Sequence, residues 1–303
     1  MKLFLTGLIA LLSLSLYGQS KLAEHHFEAD DITEVSVSGA FCDVTVDKGD
    51  KVIFDGVIEG KGDEGDYVIA SIRNGNTVVF KVERKRNRNY GWNDIGVAKL
   101  SLKLPEGTTL KVDNSSGDVS ISNFKASMLD VGASSGDIVL RNIQAETKAR
   151  TTSGDIDARG IQGDVAMRST SGDQDLVEIT GNLRTGSTSG DIEISRLIGS
   201  LDVACTSGDI ELNQIEGTIN SSTTSGNTDG ELVLLTGDSR FKSTSGNIEI
   251  AFKNELDEMS FDLRATSGDI EVGRMGGGDQ LMLKRGDLLV TGVSTSGDQT
   301  YTN

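Results

Sequence analysis

Residues 152–223 read TSGDIDARGIQGDVAMRS, TSGDQDLVEITGNLRTGS, TSGDIEISRLIGSLDVAC and TSGDIELNQIEGTINSST, four successive units of 18 residues. Take the glycine of each opening tetrad as origin. Two, four and seven positions later come Ile156, Ala158 and Ile161; Gln174, Leu176 and Ile179; Ile192, Ile194 and Leu197; and Ile210, Leu212 and Ile215. Seven, five and three positions before the next glycine stand Val165, Met167 and Ser169, then Leu183, Thr185 and Ser187, then Leu201, Val203 and Cys205. Alternation of period two on both sides of a small turn means short strands with one buried face. The apolar residues never follow the helical period, so a helix is excluded. Each unit is therefore one coil of a parallel β-helix, or β-solenoid, and equivalent residues of successive coils stand above one another. The handedness rule for parallel crossovers makes the expected winding right-handed.

Ser-Gly followed by Asp or Asn occurs ten times, at Gly117, Gly136, Gly154, Gly172, Gly190, Gly208, Gly226, Gly246, Gly268 and Gly297. The glycine supplies a positive φ or a tight backbone approach at the corner. Gln174, Thr228 and Gln299 break the apolar pattern at the second position. Near the end, Lys253 to Glu258 expands one turn, after which Phe261, Leu263 and Ala265 resume the inward pattern. Met275 to Gly278 and Leu281-Met282-Leu283 are expected to cap the last coil, whose open edge would otherwise recruit other strands. The single Pro in 303 residues suits a stack whose interior strands need every backbone N–H.

Upstream, Val35-Ser36-Val37, Val44-Thr45-Val46, Thr77 to Phe80 and Leu100 to Leu104 alternate as strands do. Leu110-Lys111-Val112 runs into the first Ser-Gly-Asp without a linker. Residues 19–110 are thus expected to form a β-rich N-terminal cap continuous with a solenoid over 111–303. Residues 1–18 carry one Lys and an apolar run from Leu3 to Leu16, the layout of a cleaved secretory signal. That run is shorter than a membrane span, and nothing later approaches one. The chain is expected to be exported and then soluble, or bound by its surface. Cys42 and Cys205 read as unpaired core residues, and His25 and His26 as part of a flexible tail.

The order of these features resembles a known family. Val35 to Gly39, Lys81 to Arg84, the Leu102-Lys103-Leu104-Pro105-Glu106-Gly107 segment and the Thr-Ser-Gly-Asp series are similar to the putative adhesin family of unknown function. That family is related to the putative auto-transporter adhesin, head GIN domain family. The resemblance covers nearly the whole chain after its leader and implies a β-helix-like protein at the envelope of a Gram-negative bacterium, in the periplasm, on the outer-membrane surface or in the medium; it brings no active site.

A formal net charge of −17 argues against nucleic acid as a partner. The acid is concentrated in two outward files. The first, beside the glycine, includes Asp155, Asp173, Asp191 and Asp209; the second, two residues on, includes Asp157, Asp175, Glu193 and Glu211. At the inter-strand spacing such files must be hydrated and screened, or bridged by hard cations such as Ca²⁺. The alternative is a turn role for the first Asp, bonding backbone beside the glycine. The Thr-Ser files form a hydroxyl surface that suits strand geometry or sugars. One basic, aromatic segment stands out: Arg84, Arg86 and Arg88 with Tyr90 and Trp92 could grip phosphate or glycan, or form a solvated hairpin tip. Catalysis by carboxylates needs unlike members, and here the same Asp recurs in every coil. The expected function is a non-enzymatic adhesion or scaffold module without a cofactor, partnered by envelope glycans or surface proteins. The alternatives are a glycan-binding or glycan-cleaving protein, or a cation-binding roll.

Overall fold

The computed structural model describes residues 20–85 and 95–303. Within them the repeat winds as a β-solenoid, each 18-residue coil giving two strands. Ile156–Gln162 lies between Ile138–Arg150 and Gln174–Thr180, all parallel, with Ile138, Ile156 and Gln174 in register. Ile192–Ile198 and Ile210–Gly217 continue this column. Val165–Arg168, Leu183–Ser187, Leu201–Cys205 and Ile219–Ser225 stack into a second column in the same way. The apolar positions of both columns face inward, so Ile156, Ile161, Leu176, Ile194, Leu201 and Ile215 belong to one buried core.

The breaks in the pattern are also inside, and each has partners. Gln174 donates from Nε2 to Ser169 Oγ (2.9 Å) and the Gly186 carbonyl (2.9 Å), and accepts from the Thr185 hydroxyl. Gln299 donates to Ser294 Oγ (3.0 Å) and the Arg264 carbonyl (2.8 Å), while the buried Tyr301 hydroxyl donates to its Oε1 (3.2 Å). A buried amide is stable when so satisfied. Cys42 and Cys205 are free and buried, and burial pushes the Cys42 thiol up to about 12.

Glycine at the origin serves close approach in most coils. A Cβ on Gly172 would meet the carbonyl of Gly154 in the coil before, and one on Gly190 that of Gly172. A second conformational demand falls six residues after the glycine. Strict alternation cannot point both the fourth and the seventh residues inward; one residue must take up the phase. Asn123, Asn142, Glu178, Arg196, Gln214 and Leu232 do so with φ between 54° and 59°, and Gly160 with φ 70°. This left-handed residue acts as a bulge that turns the strand. Non-glycine residues pay roughly 1–2 kcal/mol for that conformation. Gln214→Gly is therefore expected to raise the free energy of unfolding by about 0.5–1 kcal/mol, read from urea titration, after the entropy of the freer unfolded glycine is subtracted. Gly160→Val should move it the other way.

The two ends depart from simple winding. At the N-terminal end Glu34–Ala40 and Asp43–Lys48 pair in parallel with Thr109–Asn114 and the start of Val119–Ala133. On their other side lie Thr77–Arg84 and Ile95–Leu104, also parallel. Antiparallel strands then close this end, Tyr67–Asn74 on one column and Val52–Gly60 followed by Ser20–Ala29 on the other. Phe54 and Phe80 stack inside it, ring centroids 3.9 Å apart. His25 and His26 are not in a tail: they lie in Ser20–Ala29, where His25 Nε2 meets Ser71 Oγ at 2.9 Å and His26 Nδ1 meets Asp55 Oδ1 at 2.7 Å.

At the other end the last residues in sequence are not the last in space. Leu288–Ser296 inserts between Ser239–Ser245 and Met259–Ser267, and Gln299–Thr302 between Ile248–Phe252 and Ile270–Val272. The outermost coil is the one holding Phe261, Leu263 and Ile270. Met275–Gly277 and Gln280–Leu283 turn back antiparallel on its edges. These two strands do cover an open edge, but of the coil before them in sequence rather than of the final one.

Candidate functional site

The residues in the first acidic file form one hydrogen-bonded ladder. Asp137 Oδ1 accepts from the Asp155 N–H (2.9 Å), Asp155 from Asp173 (2.9 Å), Asp173 from Asp191 (2.9 Å) and Asp191 from Asp209 (2.8 Å). The ladder begins at Asp43 and continues through Asn227 and Asn247 to Asp298 and Asp269. Each link needs a side-chain oxygen and no charge, which is why Asn can stand in the file. The bond reaches the next coil rather than closing a local turn.

The second file divides into two stretches. Arg141 grips Asp157, and Arg159 bridges Asp157 (3.3 Å) and Asp175 (2.7 Å). The Arg141 hydrogen bond holds the Asp157 carboxyl below the usual range. Beyond it Glu193, Glu211, Asp229 and Glu249 follow in register. There burial, with Glu249, Asp209 and Glu211 adding repulsion, raises Asp229. A raised carboxyl favours the folded state at low pH and loses that contribution as pH climbs through its folded pKa. Asp229→Asn is expected to raise Tm at pH 7 by about 1 °C, the scale of relieving one opposed like-charge pair. The gain should vanish below the carboxylate range, where wild type is already neutral. Among the described residues no set of three or more His, Cys, Asp or Glu side chains is arranged to hold a metal ion.

Arg84 ends Thr77–Arg84 with its guanidinium carbon 5.9 Å from the Tyr67 ring centroid, a cation–π contact. Arg86, Arg88, Tyr90 and Trp92 lie outside the described residues.

A long concavity arises from the left-handed bend. The bend residue and the residue two places on both point outward, and their files flank a groove of about 760 Å³ running across six coils. Its walls mix Gln162 and Gln214 with Thr180, the Glu178–Arg196 ion pair (3.1 Å) and the aliphatic Ile198 and Leu232. The last two are 55% and 47% exposed, large for aliphatic side chains. Toward the N-terminal end the bend file becomes an amide ladder, Asn142 donating to Asn123 (3.1 Å) and Asn123 to Asp47 (3.0 Å). Amides and hydroxyls offer both donors and acceptors, and the aliphatic residues offer a dry surface. Sequence reasoning missed this site. The Asn123, Asn142 and Gly160 identities, all suited to the left-handed region, were the available signal.

A sequence profile of the Toastrack family, DUF4097, matches residues 32–198 and 195–302. No curated protein matches the chain. Among solved structures, a "Putative lipid binding protein" from Parabacteroides distasonis is similar at 17% identity and TM-score 0.42, over 92% of this chain and 96% of that one. A "putative adhesin" from the same organism gives 11% and 0.37 over 91% and 95%. Another from Bacteroides fragilis gives 14% and 0.32 over 92% and 95%.

Proposed function

The chain belongs to the Toastrack family, DUF4097, and from that premise we propose that it is an exported, non-enzymatic envelope module for adhesion or scaffolding that grips an extended glycan along its bend groove. The groove carries this reading. It runs with the solenoid axis, repeats its polar groups at the coil spacing, and interrupts them with Ile198 and Leu232. A linear sugar polymer, with hydroxyls on its edges and apolar patches on its ring faces, has the matching chemistry. Export rests on the composition of residues 1–18. Among the described residues no helix is long and apolar enough to cross a membrane.

A glycan-cleaving protein is the rival. The two carboxylates with opposite shifts stand too far apart to act as a pair, while neighbours within one file are about 4.8 Å apart, so turnover is assayed directly. Asp157 and Asp229, whose carboxyls shift in opposite directions, stand four coils apart in the register. That is roughly 19 Å at the inter-strand spacing, against about 5–9.5 Å for the paired carboxylates of glycosidases. The test is retention on a panel of neutral polysaccharides, with turnover assayed in parallel. Wild type should be retained uncleaved, and Ile198→Asp with Leu232→Asp should abolish retention at an unchanged melting curve. Retention by none of the panel, or hydrolysis of any member, refutes the reading. Cell fractionation with surface proteolysis tests the location. The crowding at Asp229 favours a second reading, cation bridging of the second file. It requires millimolar Ca²⁺ to raise Tm in wild type and not in Asp229→Asn.

A further inference from the structure

The outward face of the second column has the opposite electrostatic character to the acidic files. Lys148, Arg150, Arg168 and Arg184 come from three successive coils, and the register sets Arg150 directly beside Arg168 and Ala166 beside Arg184. Three of these cations already have carboxylates: Arg150 bonds Asp130 (2.7 Å) and Asp113 (3.0 Å), Lys148 bonds Glu146 (2.9 Å), and Arg184 touches Asp202 at 3.4 Å while remaining 81% exposed. Arg168 has no ion pair among the described residues, and neither do Arg240 and Lys242 further along the same face. Arg168 and Arg150 have like charges in register, a destabilising arrangement that persists here with only one of the two neutralised.

Beside them the face is hollow. The register continues Arg168 into Gly186, Ala204, Ser222 and Lys242, so three small residues separate a guanidinium at one end from an ammonium at the other. The resulting trough, about 560 Å³, has Arg184 and Asp202 along one side and the hydroxyls of Thr188, Thr206 and Thr224 along the other.

We infer that this trough is a second binding site, independent of the bend groove, for an acidic glycan bearing carboxylate or sulfate groups. Arg168 is the anchor, because a guanidinium meets carboxylate or sulfate oxygens with two parallel N–H bonds. The Thr file supplies partners for sugar hydroxyls, and the Gly186–Ala204 floor admits a ring where a larger side chain would stand. The site is concave and a few coils long, which suits a chain of sugars and not a flat bilayer. The −17 net charge of the molecule does not forbid an anionic ligand, since charges beyond about 8 Å are screened at physiological salt.

Polygalacturonate, dextran sulfate and neutral dextran are the probes, presented to the chain without residues 1–18. Wild type is expected to bind both acidic polymers and not dextran, with affinity falling as salt rises. Arg168→Glu should weaken that binding at least about tenfold, the loss of one charge-assisted contact. Ala204→Leu, an exposed floor position, should do the same by filling the trough, with both variants melting as wild type does. Ile198→Asp in the bend groove should leave acidic binding intact, which separates this site from the neutral-glycan reading. No binding of either acidic polymer overturns the inference, as does binding that neither trough variant reduces. Tighter association with phosphatidylglycerol vesicles, or salt-sensitive self-association lost in Arg168→Glu, assigns the face to lipid or to a second copy and overturns it as well.

Discussion

Deleting residues 286–303 is expected to release a second coil besides the one it removes. Among the described residues, Leu288–Ser296 and Gln299–Thr302 supply the only parallel partners that link Met259–Ser267 and Ile270–Val272 to the rest of the stack. The core follows the same plan. Tyr301 is fully buried, with Phe241, Phe252 and Phe261 around it at ring-centroid distances of 6.2, 6.0 and 5.8 Å. Its removal takes from Phe261, in the outer coil, the buried ring 5.8 Å away that joins it to Phe241 and Phe252. Limited proteolysis and hydrogen exchange should show residues 253–285 unprotected in the truncated chain, while the coils up to residue 245 stay protected. Tyr301→Ala in the full chain should cost about 3–5 kcal/mol, the range for emptying a large aromatic site. A truncated chain in which 259–272 remains protected would show that coil docking directly on Ile248–Phe252 and refute the inserted order. The same arrangement bears on folding. The C-terminal residues must enter between two coils formed from earlier sequence, so this end can close only after the whole chain is present.

The insertion also shows where sequence reading stops. The inward positions of each coil were legible because burial enforces period two, and the structure places Ile156, Leu176, Ile194 and Val203 inside as that rule requires. Spatial order is different. Every parallel coil presents the same inward residues and the same backbone groups, so nothing in Leu288 to Thr302 names its neighbours; the spacing of 29 residues before Gly297 reads equally well as an insertion in the last coil. The first acidic file was legible as a file, but its partner is the backbone N–H one coil away, which is known only once coils are stacked. The bend was half visible: Asn123, Asn142 and Gly160 suit a left-handed residue, while Glu178, Arg196, Gln214 and Leu232 conceal it. The bend groove and the basic trough are made by residues 16 to 20 positions apart. Charge counted over the whole chain averages such a patch away.

Gly172→Ala is expected to be among the most damaging single-methyl additions available to this protein. Glycine at the coil origin brings successive backbones into contact, and a Cβ there would overlap the Gly154 carbonyl. Relaxation has nowhere to go. Moving residue 172 away from the coil before drives it toward the coil after, where Gly190 sits equally close over the Gly172 carbonyl. The surrounding turn is tied on both sides as well, Ser171 N–H bonding the Thr152 carbonyl (2.9 Å) and Ser189 N–H the Thr170 carbonyl (2.9 Å). In a stack stabilised by nearest-neighbour contacts, a damaged joint weakens everything that depends on it. Overpacking of this kind, against backbone instead of a yielding side chain, should cost about 3 kcal/mol or more. Urea unfolding followed by circular dichroism should show a lower midpoint, and a second transition if the coils on either side of the joint melt separately. Gly278→Ala is the control, since a Cβ there meets nothing within 4 Å; it should stay within about 0.5 kcal/mol of wild type. Equal tolerance at Gly172 and Gly278 would mean that the coils do not touch at this corner, and the aligned files of acid, bend and trough residues would lose the contact that holds them in register.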